Sequence, residues 1–450
     1  MDKALRLLRY NTGNDKQAFI KFKDDFDAVI FNATIVAYSG SSVSDLVSVH
    51  KNQYIVDPQT HIFQHDISAI QTLNKQGDVV IRKSVEKYIN ELPIELSKIL
   101  LVDKRPLSIE DIVPQIDSLT NSTYVFQTEY VQSFIKKKEY DKYLEFVNVG
   151  PQPKLVIAPY FMLKSIYSTD DIASWLAINR TCLNSFIKRN NGQYEVSAQI
   201  VMDADILLKN NILDKLKETY SISGYSYIFL WIDNFDSFEA DNNLRLAFSN
   251  LISMFTGIGK KVIMAYGGYD SILLCNKEIP NRLYGVAQSV GYGEARNITP
   301  VGGGLPTNKY YFFPIHRRLK FDAAANILRN RGYFSKKKSQ QEYAADYYSY
   351  ICDCKQCHEV IKNDIDNFDD YNDSIPFVVK GRYGDIKRNR PTTNANLIAA
   401  LHFLYCKTRE WDDVQNHDLA ALKQQLISGY STYLPSELNS IVAWCKQYGV

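Results

Sequence analysis

Short apolar segments alternate with longer amphipathic segments along most of the chain. The apolar segments are rich in valine, isoleucine, leucine and tyrosine, which is typical of β-strands, and the longer segments repeat apolar residues at helical spacing. Strands that alternate with helices indicate βα units around a parallel sheet. The predicted strands are residues 28–31, 54–56, 155–158, 197–201, 227–232, 261–265 and 284–290.

Polar or glycine residues directly follow several predicted strands. Asp57 and Asp233 each follow one strand, and the Gly267-Gly268 pair follows another. In a barrel of eight βα units the active site gathers at the carboxyl ends of the strands. A doubly wound sheet also binds ligands at strand ends, so the pattern alone leaves both architectures open. The residues expected to bind a substrate are Gln199, Asp203, Gly267, Gly268, Asp270 and Tyr292.

The most specific chemical signal is a group of three cysteines. Cys352, Cys354 and Cys357 have C-x-C-x-x-C spacing, which can bring three thiolates to one metal ion. Zinc prefers tetrahedral thiolate and imidazole ligation, so we expect Zn2+ with His402 as the fourth ligand. The segment that begins at Leu401 predicts the first turn of a helix. The alternative fourth ligands are His358 and Cys406. A closed site of this kind is more often structural than catalytic.

The composition changes around the cysteines. Residues 335–373 are polar and rich in lysine, aspartate and tyrosine, and residues 395–448 have a helical pattern. We therefore expect an α/β fold in which residues 1–330 form a (β/α)8 TIM-type barrel with insertions. Residues 331–450 are expected to form an appended zinc-binding module and C-terminal helices. A chain of 450 residues with 45% hydrophobic residues can bury the large core that this arrangement needs.

The formal net charge of +2 is close to neutral, but the basic residues are grouped. Such groups neutralise phosphates and release counterions, although most charged runs are solvated faces. Most of the groups lie near the expected zinc module. The residues expected to contact nucleic acid are Arg317, Arg318, Lys336, Lys337, Lys338, Arg388 and Arg390.

The N-terminus and the cysteines indicate the compartment. The first residues lack an apolar run followed by a small-residue cleavage site, and no stretch is long enough to span a bilayer. The remaining cysteines are scattered, which suits a reducing environment without disulfides. We expect a cytoplasmic protein with no membrane partner.

Five motifs occur in an order that matches one family. Residues 54–64 (YIVDPQTHIFQ) contain an aspartate followed by a turn, and residues 84–89 (SVEKYI) resemble the helix start that follows it. Residues 265–273 (AYGGYDSIL) contain a glycine turn and a helix start. The other two are residues 285–296, which span most of the last predicted strand and the residues after it, and the cysteine triplet with His402-Phe-Leu. Together they resemble the tRNA-guanine transglycosylase superfamily, and most closely the branch that installs 7-deazaguanines in DNA.

The resemblance implies a base-exchange glycosyltransferase, a pentosyltransferase that replaces guanine in DNA, or alternatively tRNA, by a 7-deazaguanine base. One carboxylate would attack C1′ of the sugar while another shuttles a proton between the departing and incoming bases. Asp57 inherits the acid/base role, and Glu294 first and Asp233 second are the candidate nucleophiles. The chain has no ATP-binding signature, so we expect partner proteins that open the duplex.

The chain also departs from the family at several positions. Gln288 and Ser289 stand where the nucleophilic aspartate is expected, and Pro159-Tyr160 replaces the base-reading aspartate. These departures keep two other hypotheses open. One is a catalytically silent homologue that binds nucleic acid or scaffolds an active partner. The other is an unrelated zinc-stabilised barrel hydrolase that acts on a small molecule.

Overall fold

The structure is a computed structural model that describes residues 3–11, 16–50, 53–74, 76–136, 152–290, 296–298, 309–381 and 384–450, without the side chains of 49–50, 135–136, 379–381 and 384–386. The chain divides into two units. Unit 1 comprises Met1–Asn11, Lys23–Gly267 and Pro280–Gly302. Unit 2 comprises Thr12–Phe22, Gly268–Ile279 and Gly303–Val450. The domain boundary expected after residue 330 stays a prediction.

Unit 1 contains a sheet of eight parallel strands. Numbered in chain order, the strands of unit 1 are β1 (Leu5–Tyr10), β2 (Ala28–Asn32), β3 (Tyr54–Asp57), β4 (Gln71–Leu73), β5 (Val79–Ile81), β6 (Val156–Ile157), β7 (Val196–Met202), β8 (Tyr227–Ile232), β9 (Lys261–Met264) and β10 (Gly285–Ser289). Strands β4 and β5 form a separate antiparallel hairpin.

The eight-stranded sheet is nearly closed into a barrel. Its order is β3-β2-β1-β10-β9-β8-β7-β6, so the first and last strands of the barrel are neighbours. At the two edges, the Lys154 backbone N–H donates to the Tyr54 carbonyl at 2.7 Å, and Tyr54 forms a parallel bridge with Pro153. The predicted barrel is confirmed, and the doubly wound alternative is wrong because sequential strands continue around the sheet without a reversal of order.

The barrel interior is filled by apolar side chains from successive strands. Leu7, Ile30, Ile55, Phe229 and Ile263 belong to one buried cluster, and none has more than a trace of exposed surface. Burial of each such side chain stabilises the fold by about 1.5–3 kcal/mol. This packed core fixes the strand ends and the polar side chains that they carry.

The described α-helices lie between and after these strands. Those of unit 1 are Ala33–His50, Lys83–Ile89, Ile94–Lys98, Ile109–Ile112, Ile116–Val125, Val131–Lys136, Thr169–Asn190, Ile212–Tyr220 and Asn242–Gly257. Those of unit 2 are Lys16–Phe22, Tyr269–Leu273, Phe321–Asn330, Gln340–Tyr350, Lys355–Ile361, Thr393–Asn416, Leu419–Tyr433 and Leu438–Tyr448. Within the described chain, none of the helices combines the length and the apolar character that crossing a bilayer requires.

Unit 2 adds two antiparallel hairpins to its helices. They are formed by β11 (Lys309–Phe312) with β12 (Arg317–Lys320), and by β13 (Ser374–Gly381) with β14 (Gly384–Pro391). The predicted C-terminal helices are confirmed. His402, however, lies in the middle of its helix and not in the first turn, because the Thr392 side chain caps the helix by accepting the Ala395 N–H at 3.1 Å.

Candidate functional site

The Asp57 carboxylate, at the end of β3, lies inside the barrel with no exposed surface. Arg9 Nη1 donates to its Oδ2 atom at 3.0 Å, and the Tyr160 hydroxyl donates to its Oδ1 atom at 2.6 Å. The backbone N–H of Gln59 also donates to Oδ1, at 3.2 Å. A cation, a phenol and an amide therefore hold this carboxylate in one orientation.

Asp57 belongs to a group of buried polar side chains, here called the Asp57 cluster, that consists of Asp57, Arg9, His61, Tyr160 and Gln199. Arg9 lies on β1 and is itself buried. Its Nε donates to the Ala265 carbonyl at 2.7 Å, and its guanidinium lies over the Tyr266 ring at 4.3 Å. Burial by itself would lower the pKa of Arg9, but electrostatic interactions with Tyr266 and Asp57 raise it. The guanidinium stays charged, and contacts after β9 as well as at β3 fix its position.

Tyr160 connects Asp57 to three further side chains. Gln199 on β7 donates from Nε2 to the Tyr160 hydroxyl at 2.9 Å. The His61 ring stacks on the Tyr160 ring, with centroids 5.3 Å apart, and lies edge-on to Trp231 at 5.2 Å. Burial raises the pKa of Tyr160 well above its usual value, so the phenol keeps its proton and donates a hydrogen bond to Asp57.

Several buried polar atoms around Asp57 have no hydrogen-bond partner in the described structure. They are both ring nitrogens of His61, Oε1 of Gln199 and Nη2 of Arg9. Burial, followed by nearby positive charge, lowers the pKa of His61 well below its usual value, so its neutral ring offers one donor and one acceptor. An unsatisfied buried polar group costs about 1–3 kcal/mol. This cluster therefore has the donors and acceptors that a small polar ligand would satisfy.

Two other predicted carboxylates of unit 1, Asp233 and Asp203, accept hydrogen bonds from backbone N–H groups. Asp233 accepts the Ile298 backbone N–H through Oδ1 at 2.6 Å, and burial raises its pKa. Asp203 accepts the backbone N–H of Ser165 at 2.6 Å and the Ser165 hydroxyl at 2.8 Å. The predicted residues Glu294 and Tyr292 lie outside the described residues.

The predicted glycine turn straddles the division of the chain. Gly267 belongs to unit 1, whereas Gly268 and Asp270 belong to unit 2. Gly268 caps the helix Tyr269–Leu273, and its carbonyl accepts the Ile272 N–H at 3.2 Å. In unit 2, Gly268 and Asp270 thus take part in starting a short helix.

Each unit carries an open cleft. One, of about 500 Å³ in unit 1, is bordered by Tyr38, Lys87 and Phe134. The other, of about 610 Å³ in unit 2, is bordered by Cys352 and Arg409 among others. Neither cleft is lined by the residues of the Asp57 cluster, whose side chains are buried.

The cysteine triplet and His402 come together in unit 2. Their four ligand atoms all lie within 4.8 Å of one another. His402 Nδ1 is 3.4 Å from Cys354 Sγ and 3.3 Å from Cys357 Sγ. Hydrogen bonds with Cys354 and Cys357 lower the pKa of the Cys352 thiol. These four residues could bind a metal ion, which would take the place of the protons that they share.

Neighbouring groups orient the ligand atoms of this cluster. His402 Nε2 lies 2.8 Å from the Tyr311 carbonyl, which can only accept a hydrogen bond, so Nε2 carries the proton and Nδ1 faces the sulfurs. Cys354 caps the helix Lys355–Ile361, and its Sγ accepts the Cys357 N–H at 3.4 Å. Local helix capping therefore places two of the three sulfurs.

The alternative fourth ligands lie outside this four-residue group. Cys406 Sγ is 4.0 Å from Cys352 Sγ but is not one of the four mutually close ligands. The exposed His358 ring stacks on Tyr348, with centroids 3.9 Å apart. His402 is thus the residue that completes the group.

The predicted basic residues differ in their contacts. Three of them contact Glu437, the Phe403 ring and Asp346, and they are Arg317, Arg318 and Lys338, respectively. Arg390 lies over the Phe377 ring. The exposed residues are Lys336, Lys337, Lys338, Arg388 and Arg390. Arg388 and Arg390 lie on the hairpin of β13 and β14.

Three residues of the Asp57 cluster had no predicted role. Arg9 lies on β1, which the apolar pattern did not predict. Tyr160 was noted only as a departure from the family motif. His61 lies inside the motif at 54–64, so its position four residues after Asp57 was the available signal.

Comparisons with protein-family models and with curated proteins give no match to this chain. The fold and the two sites define a barrel protein of the TIM type with a buried polar cluster at its strand ends. They also define a cysteine and histidine group that could bind a metal ion.

Proposed function

We propose that the chain is a base-exchange glycosyltransferase that replaces guanine in DNA by a 7-deazaguanine, as its resemblance to guanine transglycosylases implies. The observation that carries the proposal is the Asp57 cluster. A fixed carboxylate lies at the carboxyl end of a barrel strand, beside aromatic rings and unsatisfied polar atoms. Active sites of this fold gather at that end of the strands.

The chemistry of the cluster suits a planar heterocycle. The edge of guanine carries donors at N1 and N2 and an acceptor at O6. The unsatisfied Oε1 of Gln199 would accept from the base, and the unsatisfied Nη2 of Arg9 would donate to it. The flat His61 and Tyr160 rings offer stacking surfaces.

The proposed exchange has two steps with matched bond changes. In the first step a carboxylate attacks C1′ and forms an ester-like bond. The C1′–N9 bond breaks at the same time, and the electron pair of that bond leaves with guanine. Asp57, after receiving a proton, would give it to the departing base. In the second step, N9 of the incoming deazaguanine attacks C1′, the ester-like bond breaks and its electron pair returns to the carboxylate, while Asp57 accepts the proton from N9. The nucleophile would be Glu294, with Asp233 as the second candidate.

We infer that the metal of unit 2 is zinc with a structural role. Three thiols and one imidazole are a donor set that zinc prefers, and four protein ligands leave no open position for a substrate. The His402 hydrogen bond to the Tyr311 carbonyl is the kind of outer contact that zinc-binding histidines make.

One observation favours a second candidate, a catalytically silent homologue that binds nucleic acid. Both oxygens of Asp57 already have partners, and neither Asp57 nor Arg9 has exposed side-chain surface. A base can reach this carboxylate only after the surrounding side chains move. A buried ion pair that serves only the fold would look the same.

The test is an exchange assay with radiolabelled guanine and, in parallel, a deazaguanine base. Each is offered with duplex DNA, single-stranded DNA and tRNA. Label should enter DNA with the wild type, and Asp57→Asn should lower the rate by roughly 10²–10⁴-fold, the range for loss of a general acid/base. Glu294→Gln and Asp233→Asn identify the nucleophile.

The matched control is Asp205→Asn, which makes the same chemical change on an exposed side chain of unit 1. It should exchange at the wild-type rate. Exchange that survives in Asp57→Asn would remove Asp57 from the mechanism. No exchange with any substrate, from folded protein that contains one zinc per chain, would favour the silent homologue. Label that enters only tRNA would replace DNA by tRNA as the substrate.

A further inference from the structure

The hairpin of β13 and β14 is a two-stranded ribbon inserted between two of the metal-binding residues. It follows Cys357 and precedes His402 in the chain. The strands pair in register from Ser374 with Pro391 onward, and the Thr392 N–H extends the pairing by donating to the Asp373 carbonyl at 3.0 Å. The metal-binding group thus flanks the ribbon on both sides in sequence.

The described part of the ribbon is exposed on both faces. Ile375 and Phe377 lie opposite Arg390 and Arg388, and successive residues alternate between the faces. Ile375 has 41% of its surface exposed to solvent, and the Arg390 guanidinium lies 5.0 Å from the Phe377 ring centre. An isolated hairpin is only marginally stable in water, so an uncovered ribbon with apolar side chains is suited to a partner.

The charge of the ribbon selects the partner. Its described side chains include the cations Lys387, Arg388 and Arg390. In sequence, residues 374–391 contain five lysines and arginines and one carboxylate, Asp385. The three described cations are exposed, and the described structure gives them no ion pair with an acidic side chain. Cations arranged along an extended ribbon complement a row of phosphates.

We propose that this ribbon binds duplex DNA by entering the major groove, with its cations on the flanking phosphates. The major groove of B-form DNA is about 12 Å wide and admits a two-stranded ribbon, whereas the major groove of double-stranded RNA is too narrow for side chains to read. The inference rests on the proposed function for its choice of nucleic acid as the partner, and it adds where the DNA is held.

The test measures binding of a fluorescent 20-base-pair DNA duplex by anisotropy over a range of salt concentrations. Arg388→Ala combined with Arg390→Ala should weaken binding roughly tenfold and lower the slope of log affinity against log salt by about 2, one for each lost phosphate contact. Lys83→Ala with Lys98→Ala removes two exposed cations from unit 1 and should change neither quantity.

Replacement of both arginines by lysine should restore most of the salt slope, because lysine also contacts phosphates. The inference is overturned if the alanine pair binds the duplex with unchanged affinity and slope. It is also overturned if that pair loses binding to double-stranded RNA or to anionic vesicles as strongly as to DNA. Ribbon-dependent DNA binding without base exchange would refute only the proposed function. Base exchange with unaltered DNA binding by the alanine pair would refute only the ribbon.

Discussion

At the scale of single residues, the stability of the barrel depends strongly on the ion pair between Arg9 and Asp57. Both side chains have no exposed surface, so each charge depends on its partner for solvation. Arg9→Met should lower the free energy of unfolding by about 3–5 kcal/mol, because it leaves a buried carboxylate without its cation. Urea unfolding followed by circular dichroism measures this loss.

The double variant Arg9→Met with Asp57→Leu tests the cause. It removes both charges and replaces them by apolar side chains, which is often close to neutral for buried pairs. The double variant should therefore be more stable than Arg9→Met alone. Losses that simply add would show that the two residues stabilise the barrel independently.

His65 makes the stability of the barrel depend on pH. Burial, followed by the charge of Lys164, lowers its pKa from 6.5 to about 4. Between these values the unfolded chain binds a proton that the folded chain does not, so stability is complete above pH 6.5 and falls as the pH approaches 4. Between pH 7.5 and 5.0, His65→Gln should lose about 1–2 kcal/mol less stability than the wild type.

The same urea titrations on His417→Gln provide the control, since the His417 side chain is 45% exposed. Its stability should fall between the two pH values as the wild type does. An equal fall in the wild type and in His65→Gln would show that other groups cause the acid sensitivity.

At the scale of elements, the apolar pattern predicted the barrel strands except β1. The sequence of that strand is Leu5-Arg6-Leu7-Leu8-Arg9-Tyr10, and two arginines in six residues are typical of an exposed segment. Both are buried in the fold, at 8% and 1% exposure. Composition cannot reveal a buried cation, because the carboxylate that solvates Arg9 lies 48 residues away in the sequence.

The same reasoning explains which parts of the site could be predicted. Asp57 and Gln199 lie on strands with a clear pattern, and the cysteine spacing indicated the metal group. Tyr160 and His61 gain their roles only from tertiary contacts, through a hydrogen bond and a ring stack that cross the barrel. The predicted position of His402 in the first turn of its helix was wrong, because the helix begins after Thr392, well before His402 in the sequence.

Gly429 allows the helix Leu419–Tyr433 to approach the backbone at Pro314. A Cβ atom at position 429 would lie 1.7 Å from the Pro314 carbonyl oxygen. Gly429→Ala should therefore destabilise unit 2 by about 1–3 kcal/mol or more, the cost of an overpacked contact. Thermal unfolding compares it with Gly257→Ala, where nothing lies within 4 Å and about 0.5 kcal/mol of stabilisation is expected. Equal effects would mean that the backbone adjusts at Pro314.

At the scale of the whole molecule, the two kinds of chemistry belong to different units. The Asp57 cluster draws all its described residues from unit 1, and the metal-binding group draws all four ligands from unit 2. Each site can therefore be perturbed by changes confined to one unit. This separation makes the effect of metal removal a test of where the metal acts.

Metal removal should loosen unit 2 selectively. With free zinc at about 1,000 times its dissociation constant, binding adds about 4 kcal/mol to stability, which a chelator withdraws. Hydrogen exchange should then accelerate in Lys355–Ile361 and around His402, which carry the ligands, while β8 keeps its protection. His402→Ala should show the accelerated exchange without any chelator and should contain less than one metal ion per chain. Faster exchange throughout β8 as well would assign the metal to the stability of both units, and unchanged exchange in both would show that the four residues hold no structural metal.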